Sequence, residues 1–119
     1  PSQRRAVWST DASSFHSPLI IKGLIIVLNN DGSIISFSGQ TLSESWTNEE
    51  YLRRGLSNAT EHDGNVVFGD IEGYLHVINP LTGRTVGREK ISGNPIRYVS
   101  SRGNQLFALD SELRMFALN

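Results

Sequence analysis

The sequence predicts an all-β fold, and three observations carry that prediction. Apolar runs of about four to six residues recur along the whole 119 residues. Turn-forming residues, above all Gly, Asn and Asp, separate them. No window of a dozen residues places its apolar positions at helical spacing, so nothing argues for a helix.

Taken in order, strands are expected at residues 6–10, 19–22 and 24–29, with Gly23 between the last two. Asn30-Asp31-Gly32 leads into 33–38, and 43–47 and 56–60 follow. Asp63-Gly64-Asn65 precedes 66–70, Glu72-Gly73 precedes 74–79, and Thr82-Gly83 precedes 85–91. After 96–100, Arg102-Gly103-Asn104 opens 106–110, and 114–118 ends the series. Each of these connections holds a Gly or Asn that tolerates positive φ, the signature of tight antiparallel hairpins.

The strands recur at a fixed interval. Sliding the sequence by 41 places Gly23 on Gly64, Gly32 on Gly73 and Thr41 on Thr82 without a gap. It also lays residues 24–27 over 65–68 and 34–37 over 75–78. A shift of 40 then carries Asp70 onto Asp110, Glu72 onto Glu112 and Val77-Ile78 onto Ala117-Leu118, with Leu113 where Gly73 stood. About four strands in about 40 residues is the size of one propeller blade. The prediction is therefore a partial β-propeller of about three four-stranded antiparallel blades in a single domain spanning residues 1–119. Units are expected at 18–56, 57–92 and 93–119, with 5–10 a strand left from a preceding blade. The repeat has a physical reason: a blade has two apolar faces and cannot bury both without neighbours. The Trp-Asp and Gly-His signatures of WD40 repeats are missing, and an up-and-down sandwich is the competing architecture.

Composition removes several functions. Lys and Arg total 11 against 12 Asp and Glu, a net charge of −1, without the basic excess that phosphate neutralisation needs. Nucleic acid is not an expected partner. Cysteine is absent, which excludes disulfides, thiolate catalysis and Cys-ligated metals from this stretch. The longest purely apolar run, 24–28, is far below the roughly 20 residues of a spanning helix. The chain opens on Pro1 rather than Met, so it is expected to be trimmed from something longer.

The most distinctive stretch runs from Trp46 through Leu52-Arg53-Arg54, Gly64-Asn65-Val66-Val67-Phe68-Gly69-Asp70, Glu72-Gly73-Tyr74-Leu75, Ile78-Asn79 and Gly83-Arg84 to Val86. It resembles the BamB family, the propeller lipoproteins of the bacterial outer-membrane β-barrel assembly machinery. The resemblance is close from Trp46 to Ile91 and looser elsewhere. The blade grammar, a strand, an Asp or Asn, a Thr-Gly turn and then Trp, also resembles the repeats of quinoprotein dehydrogenases. It is degenerate here, since Gly87 occupies in one unit the place of Trp46 in the unit before. The BamB resemblance implies the C-terminal part of a ring of roughly eight blades. It further implies a non-enzymatic scaffold at the periplasmic face of the outer membrane of a Gram-negative bacterium. The implied partners are the periplasmic domains of BamA and nascent outer-membrane proteins, and the implied membrane tether is a lipidated Cys that this chain does not contain.

Candidate sites are weighed by their chemistry. In the charged segment 48–54, acids come first and bases last, which suits a single helical turn and its dipole. Tyr51, Arg53 and Arg54 are the candidate partner contacts, being residue types that anchor interfaces. Gly23, Gly32, Gly64, Gly73, Gly83 and Trp46 are read as structural positions of the repeat. His16, His62 and His76 are too scattered for a metal motif, and no Ser sits in a nucleophile elbow. Asp70 and Glu72 before Gly73 open like a calcium loop, but the later ligands do not follow, so a β-turn is expected. Asn58-Ala59-Thr60 fits a glycosylation pattern that has meaning only in a secreted eukaryotic protein. A bound quinone needs groups converging from several blades, and neither vicinal Cys nor a carboxylate cluster is present, so no cofactor is expected. The rival readings are a quinoprotein dehydrogenase fragment and a ligand-sensing propeller. Three blades leave an apolar face open at each end of the arc, so self-association is also expected.

Overall fold

A computed structural model describes residues 17–118; the strand expected at 6–10 and His16 lie outside the described residues. The described residues form eleven strands and no helix. They are β1 (Leu19–Ile21), β2 (Leu24–Leu28), β3 (Ile34–Ser38), β4 (Glu44–Asn48), β5 (Ala59–His62) and β6 (Asn65–Gly69). β7 (Tyr74–Ile78), β8 (Thr85–Lys90), β9 (Ile96–Arg102), β10 (Gln105–Asp110) and β11 (Met115–Leu118) complete the series. β5 starts three residues later than expected. Ser57 closes off its near end by exchanging bonds with Gly69, N–H to carbonyl at 2.9 Å and hydroxyl from the Gly69 N–H at 2.8 Å. The regular ladder then begins at Ala59 opposite Phe68.

The strands make three antiparallel sheets in sequence order: β1-β2-β3-β4, β5-β6-β7-β8 and the three-stranded β9-β10-β11. The first two are superimposable in register, since β3 meets β4 at Ser36 opposite Trp46 and β7 meets β8 at Val77 opposite Gly87, each pair followed by a bulge. Alternation along each strand gives the sheet two faces, and both are used. Ile26, Ile34, Val66, Phe68 and Ile78 form a core between the first and second sheets. Val67, Leu75, Ile96, Val99, Leu106 and Ala108 form another between the second and third. Burial is thus distributed over two interfaces, as repeat stacking requires. This is a partial β-propeller.

One turn is built three times. Between the second and third strands of each sheet, the N–H of Asn29, Asp70 or Asp110 reaches the carbonyl of Ser33, Tyr74 or Arg114. The residue one before the end of the loop is left-handed: Gly32 at φ 98°, Gly73 at 92° and Leu113 at 65°. Glycine is demanded at the first two by more than φ. A Cβ on Gly32 would stand 2.1 Å from the Tyr51 carbonyl oxygen, and one on Gly73 1.9 Å from that of Ser92. The connection leaving each of the first two sheets crosses directly over that sheet's own turn. Leu113 takes the same left-handed conformation with its side chain 79% exposed among the described residues.

Candidate interaction site

The connection between β4 and β5 is a series of hydrogen-bonded turns, where the sequence suggested a helical turn. Arg53 has φ 64°, which breaks the helical path, and its N–H goes to the Asp31 carbonyl at 2.9 Å. One residue on, the Arg54 carbonyl accepts from the Ile71 N–H at 2.9 Å. The segment is therefore tied on one side to the turn of the first sheet and on the other to the turn of the second. Its side chains add to this: Asn48 Nδ2 donates to the Gly83 carbonyl at 2.7 Å, and Thr85 Oγ1 donates to Glu50 Oε1 at 2.9 Å.

The three predicted contact residues do not share one environment. Tyr51 is 4% exposed; its ring meets Phe68 edge-on with centroids 5.0 Å apart, and its hydroxyl bonds Thr85 Oγ1. It is a wedge between sheets and is not open to a partner, because an aromatic side chain at the crossing point buries more area inward than the surface offers. Burial holds its phenol above the ordinary tyrosine range. Arg54 is half-buried with Nη1 3.8 Å from Asp70 Oδ2. Arg53 is exposed, and so is Leu52 at 42%. With Ile71, also exposed and adjacent to Gly55, these two make the solvent-facing surface of the connection.

Beneath it lies a pair that sequence reasoning missed. Asp70 and His76 are both buried, and His76 Nε2 lies 2.7 Å from Asp70 Oδ2, which places the imidazole proton on Nε2. The other carboxylate oxygen accepts from the backbone N–H of Glu72 and Tyr74 at 2.8 and 3.1 Å. The carboxylate is thus consumed by its own turn and by the histidine. The signal was available, since an acid opening a hairpin and a histidine two residues into the returning strand face the same side. Asp110 repeats the arrangement, accepting from Glu112 and Arg114 N–H at 2.9 Å each, with Ser92 Oγ at 2.7 Å in place of histidine. Desolvation raises its pKa, but the Ser92 hydroxyl and the two N–H groups outweigh that and hold the carboxyl below its ordinary value. In the first sheet the acid sits two positions later, at Asp31, whose pKa is lowered chiefly by the Ser33 N–H at 2.9 Å.

The two inter-sheet junctions differ in how they are filled. Trp46 closes the first: its Nε1 donates to the Pro80 carbonyl at 2.8 Å, and its ring lies so close to Gly83 that a Cβ there would stand 2.5 Å away. At the homologous positions of the second junction the side chains shrink or turn polar. Ile21 becomes His62, Leu24 becomes Asn65, Trp46 becomes Gly87 and Phe68 becomes Ala108. Ile96 makes up the volume next to Gly69, where a Cβ would stand 2.3 Å from it. A Cβ on Gly87 would have no neighbour within 4 Å among the described residues, the turn that Trp46 meets at Pro80 and Gly83 having no counterpart among them. Among the described residues a hollow of about 570 Å³ lies there, lined by His62, Asp63, Val67, Gly87, Arg88 and Leu106 among others.

Buried carboxylates locked into turns do not offer the convergent free groups that a quinone with its calcium ion needs, so the described residues do not fit that cofactor. Successive antiparallel sheets of four, four and three strands, stitched through their turns and packed face to face, define a segment of a β-propeller whose surfaces are loops and strand edges. Within that class the chain belongs to the family of the outer membrane protein assembly factor BamB, whose family model matches residues 1–111. It is 33% identical over 114 residues to outer membrane protein assembly factor BamB of Pseudomonas aeruginosa, covering 87% of this chain and 30% of that one. The factor from Marinobacter adhaerens is 35% identical over 96 residues, 81% of this chain and 25% of that one. The crystal structure of BamB from Moraxella catarrhalis superimposes with a TM-score of 0.78 at 21% identity, over 84% of this chain and 30% of that chain. The computationally designed Ika8 protein superimposes with a TM-score of 0.72 at 14% identity, so the fold is shared well beyond recognisable sequence. The chain spans about 30% or less of the curated relatives it matches.

Proposed function

We propose that this chain is part of a non-enzymatic scaffold for the assembly and insertion of outer-membrane β-barrel proteins, acting at the periplasmic face of the outer membrane. Its units, 18–56, 57–92 and 93–119, act as one rigid arc within a larger ring. The observation that carries the reading is family membership together with a connection, 49–55, whose backbone is pinned to two sheets. A pinned loop presents its side chains at fixed positions without an ordering cost on binding. The partner is a periplasmic domain of BamA, met by Leu52, Arg53 and Ile71 with Arg54 at the margin; Tyr51 supports the loop from below. The same rigid edges hold nascent barrel strands, and the membrane is reached through a lipid anchor outside this sequence. No bond is made or broken.

The test is the affinity of the intact protein for purified BamA periplasmic domains. Replacing Leu52 and Arg53 together by Glu removes an apolar contact and reverses a charge, and is expected to weaken binding about tenfold or more. Tyr51→Phe, which keeps the buried ring, is expected to leave it within about twofold. An unchanged dissociation constant for the double variant overturns the loop contact.

A further inference from the structure

A second, smaller hollow lies between the connection 49–55 and the strands β7 and β8, lined by Glu50, Tyr51, Arg54, His76, Thr85 and Arg88. The two sheets that this connection joins both have all four strands among the described residues, so its walls are complete. At about 230 Å³ it falls below the roughly 300 Å³ at which pockets for whole small molecules begin. It has room for a single side-chain head group.

Its proton donors can be counted. Thr85 Oγ1 gives its proton to Glu50 Oε1 at 2.9 Å, so the Tyr51 hydroxyl bonded to Thr85 Oγ1 gives its own there. His76 gives its Nε2 proton to Asp70. The donors left over are the guanidinium groups of Arg54 and Arg88. Asp70 Oδ2 stands 3.8 Å from Arg54, but that carboxylate already accepts from His76 and from the N–H groups of Glu72 and Tyr74. Arg88 has no ion pair among the described residues. Its guanidinium carbon lies 5.5 Å from the centre of the Tyr74 ring, a cation–π contact that steadies the side chain.

Charge then selects the ligand. Arg54, Arg88 and Lys90, which shares the Tyr74 ring at 5.6 Å, stand against Glu50 and Asp70, three cations to two anions. The Tyr51 phenol feels the convergence: beyond burial and its bond to Thr85, Glu50 raises its pKa while Arg54 and Arg88 lower it. One positive charge in excess suits a monoanion, and two guanidinium forks suit the paired oxygens of a carboxylate.

We infer that this hollow is a subsite for one carboxylate side chain of a polypeptide docked on the connection 49–55, gripped between Arg54 and Arg88. The inference rests on the reading of that connection as a contact surface and adds its chemistry: an Asp or Glu beside the residues that meet Leu52 and Arg53.

The test titrates the intact purified protein with the capped tripeptide Gly-Glu-Gly at constant ionic strength, following the arginine Nε–H signals by NMR. Saturable shifts at Arg54 and Arg88, and none at Arg84, are expected, with a dissociation constant on the order of a few millimolar. Capped Gly-Gln-Gly, which lacks the charge, is expected to bind about tenfold more weakly or worse. Arg88→Gln changes an exposed side chain and leaves the fold intact, and is expected to weaken binding of the Glu peptide about tenfold or more. No shift at about 50 mM peptide overturns the inference, as does equal binding of the Gln peptide or undiminished binding to Arg88→Gln. Inorganic phosphate or glutarate binding more than about tenfold tighter than the peptide also overturns it, by making the hollow a site for phosphate or a small dicarboxylate. The titration needs no partner protein, so its failure leaves the assembly role and the contacts of Leu52 and Arg53 standing. Unchanged affinity of the Leu52 and Arg53 double variant sinks that contact surface instead, and the peptide titration is read without it.

Discussion

Leu113 shows what a repeat keeps when it loses its glycine. The turn position it occupies is left-handed in all three sheets, and leucine adopts it at φ 65°. That conformation costs a side-chain-bearing residue about 1–2 kcal/mol. Gly73 cannot change in the same way, because the Ser92 carbonyl lies where its Cβ would be. Leu113→Gly removes the left-handed penalty and gives back about 0.5–1 kcal/mol through the greater freedom of glycine in the unfolded chain. The expected result is a modest gain in stability, up to about 1 kcal/mol, seen as a higher midpoint in urea with an unchanged slope. A loss would mean that the exposed leucine makes a contact worth more than its strain.

At the scale of the element, the hairpin β10–β11 is held by Asp110, and this makes it sensitive to acid. The carboxyl titrates below its ordinary value of 3.8 in the folded protein, because Ser92 and two backbone N–H groups favour the ionised form over the desolvation that opposes it. The unfolded chain therefore takes up its proton first as the pH falls. The stability from this group is fully present above the ordinary carboxyl range and is lost as pH drops through the lowered folded value. Unfolding midpoints are expected to fall steeply below about pH 4. Asp110→Asn is expected to be less stable at pH 7 and to lose less over the same acid window. An equal acid slope in both proteins would show that other carboxylates carry the effect.

At the scale of the whole molecule, each sheet depends on its neighbours. The third sheet turns Leu106 and Ala108 towards the second, while Phe107 and Leu109 of the same strand point the other way beside Tyr98 and Met115. Tyr98 is 52% and Met115 64% exposed, so this face is an apolar sheet surface of the kind that propeller blades bury against each other. The 119-residue chain by itself is expected to associate through that face, sedimenting as a dimer or larger at about 100 µM with the affinity of a small apolar interface. Met115→Glu placed at its centre is expected to restore the monomer. A monomer at high concentration without that change would contradict the expectation.

Strand positions, the all-β class and the stacked repeat were legible in the sequence because they rest on local chemistry. Alternating apolar residues need a sheet, Gly and Asn need a turn, and a spacing of 41 needs a second copy of the same hairpins. Gly32 and Gly83 were recognisable as special positions, and Trp46 as part of the blade pattern. What only the tertiary structure decided is which atoms those residues meet across chain separations of 34 or 35 residues: Trp46 on the Pro80 carbonyl, Asn48 on the Gly83 carbonyl, Tyr51 on Thr85. Tyr51 reads as a surface anchor until the connection is seen to cross the first sheet's turn, where packing area rather than residue type sets its direction. The same holds at Gly69: its letter records only a missing side chain, and that Ile96 of the third sheet fills the space is set by how closely that sheet stands.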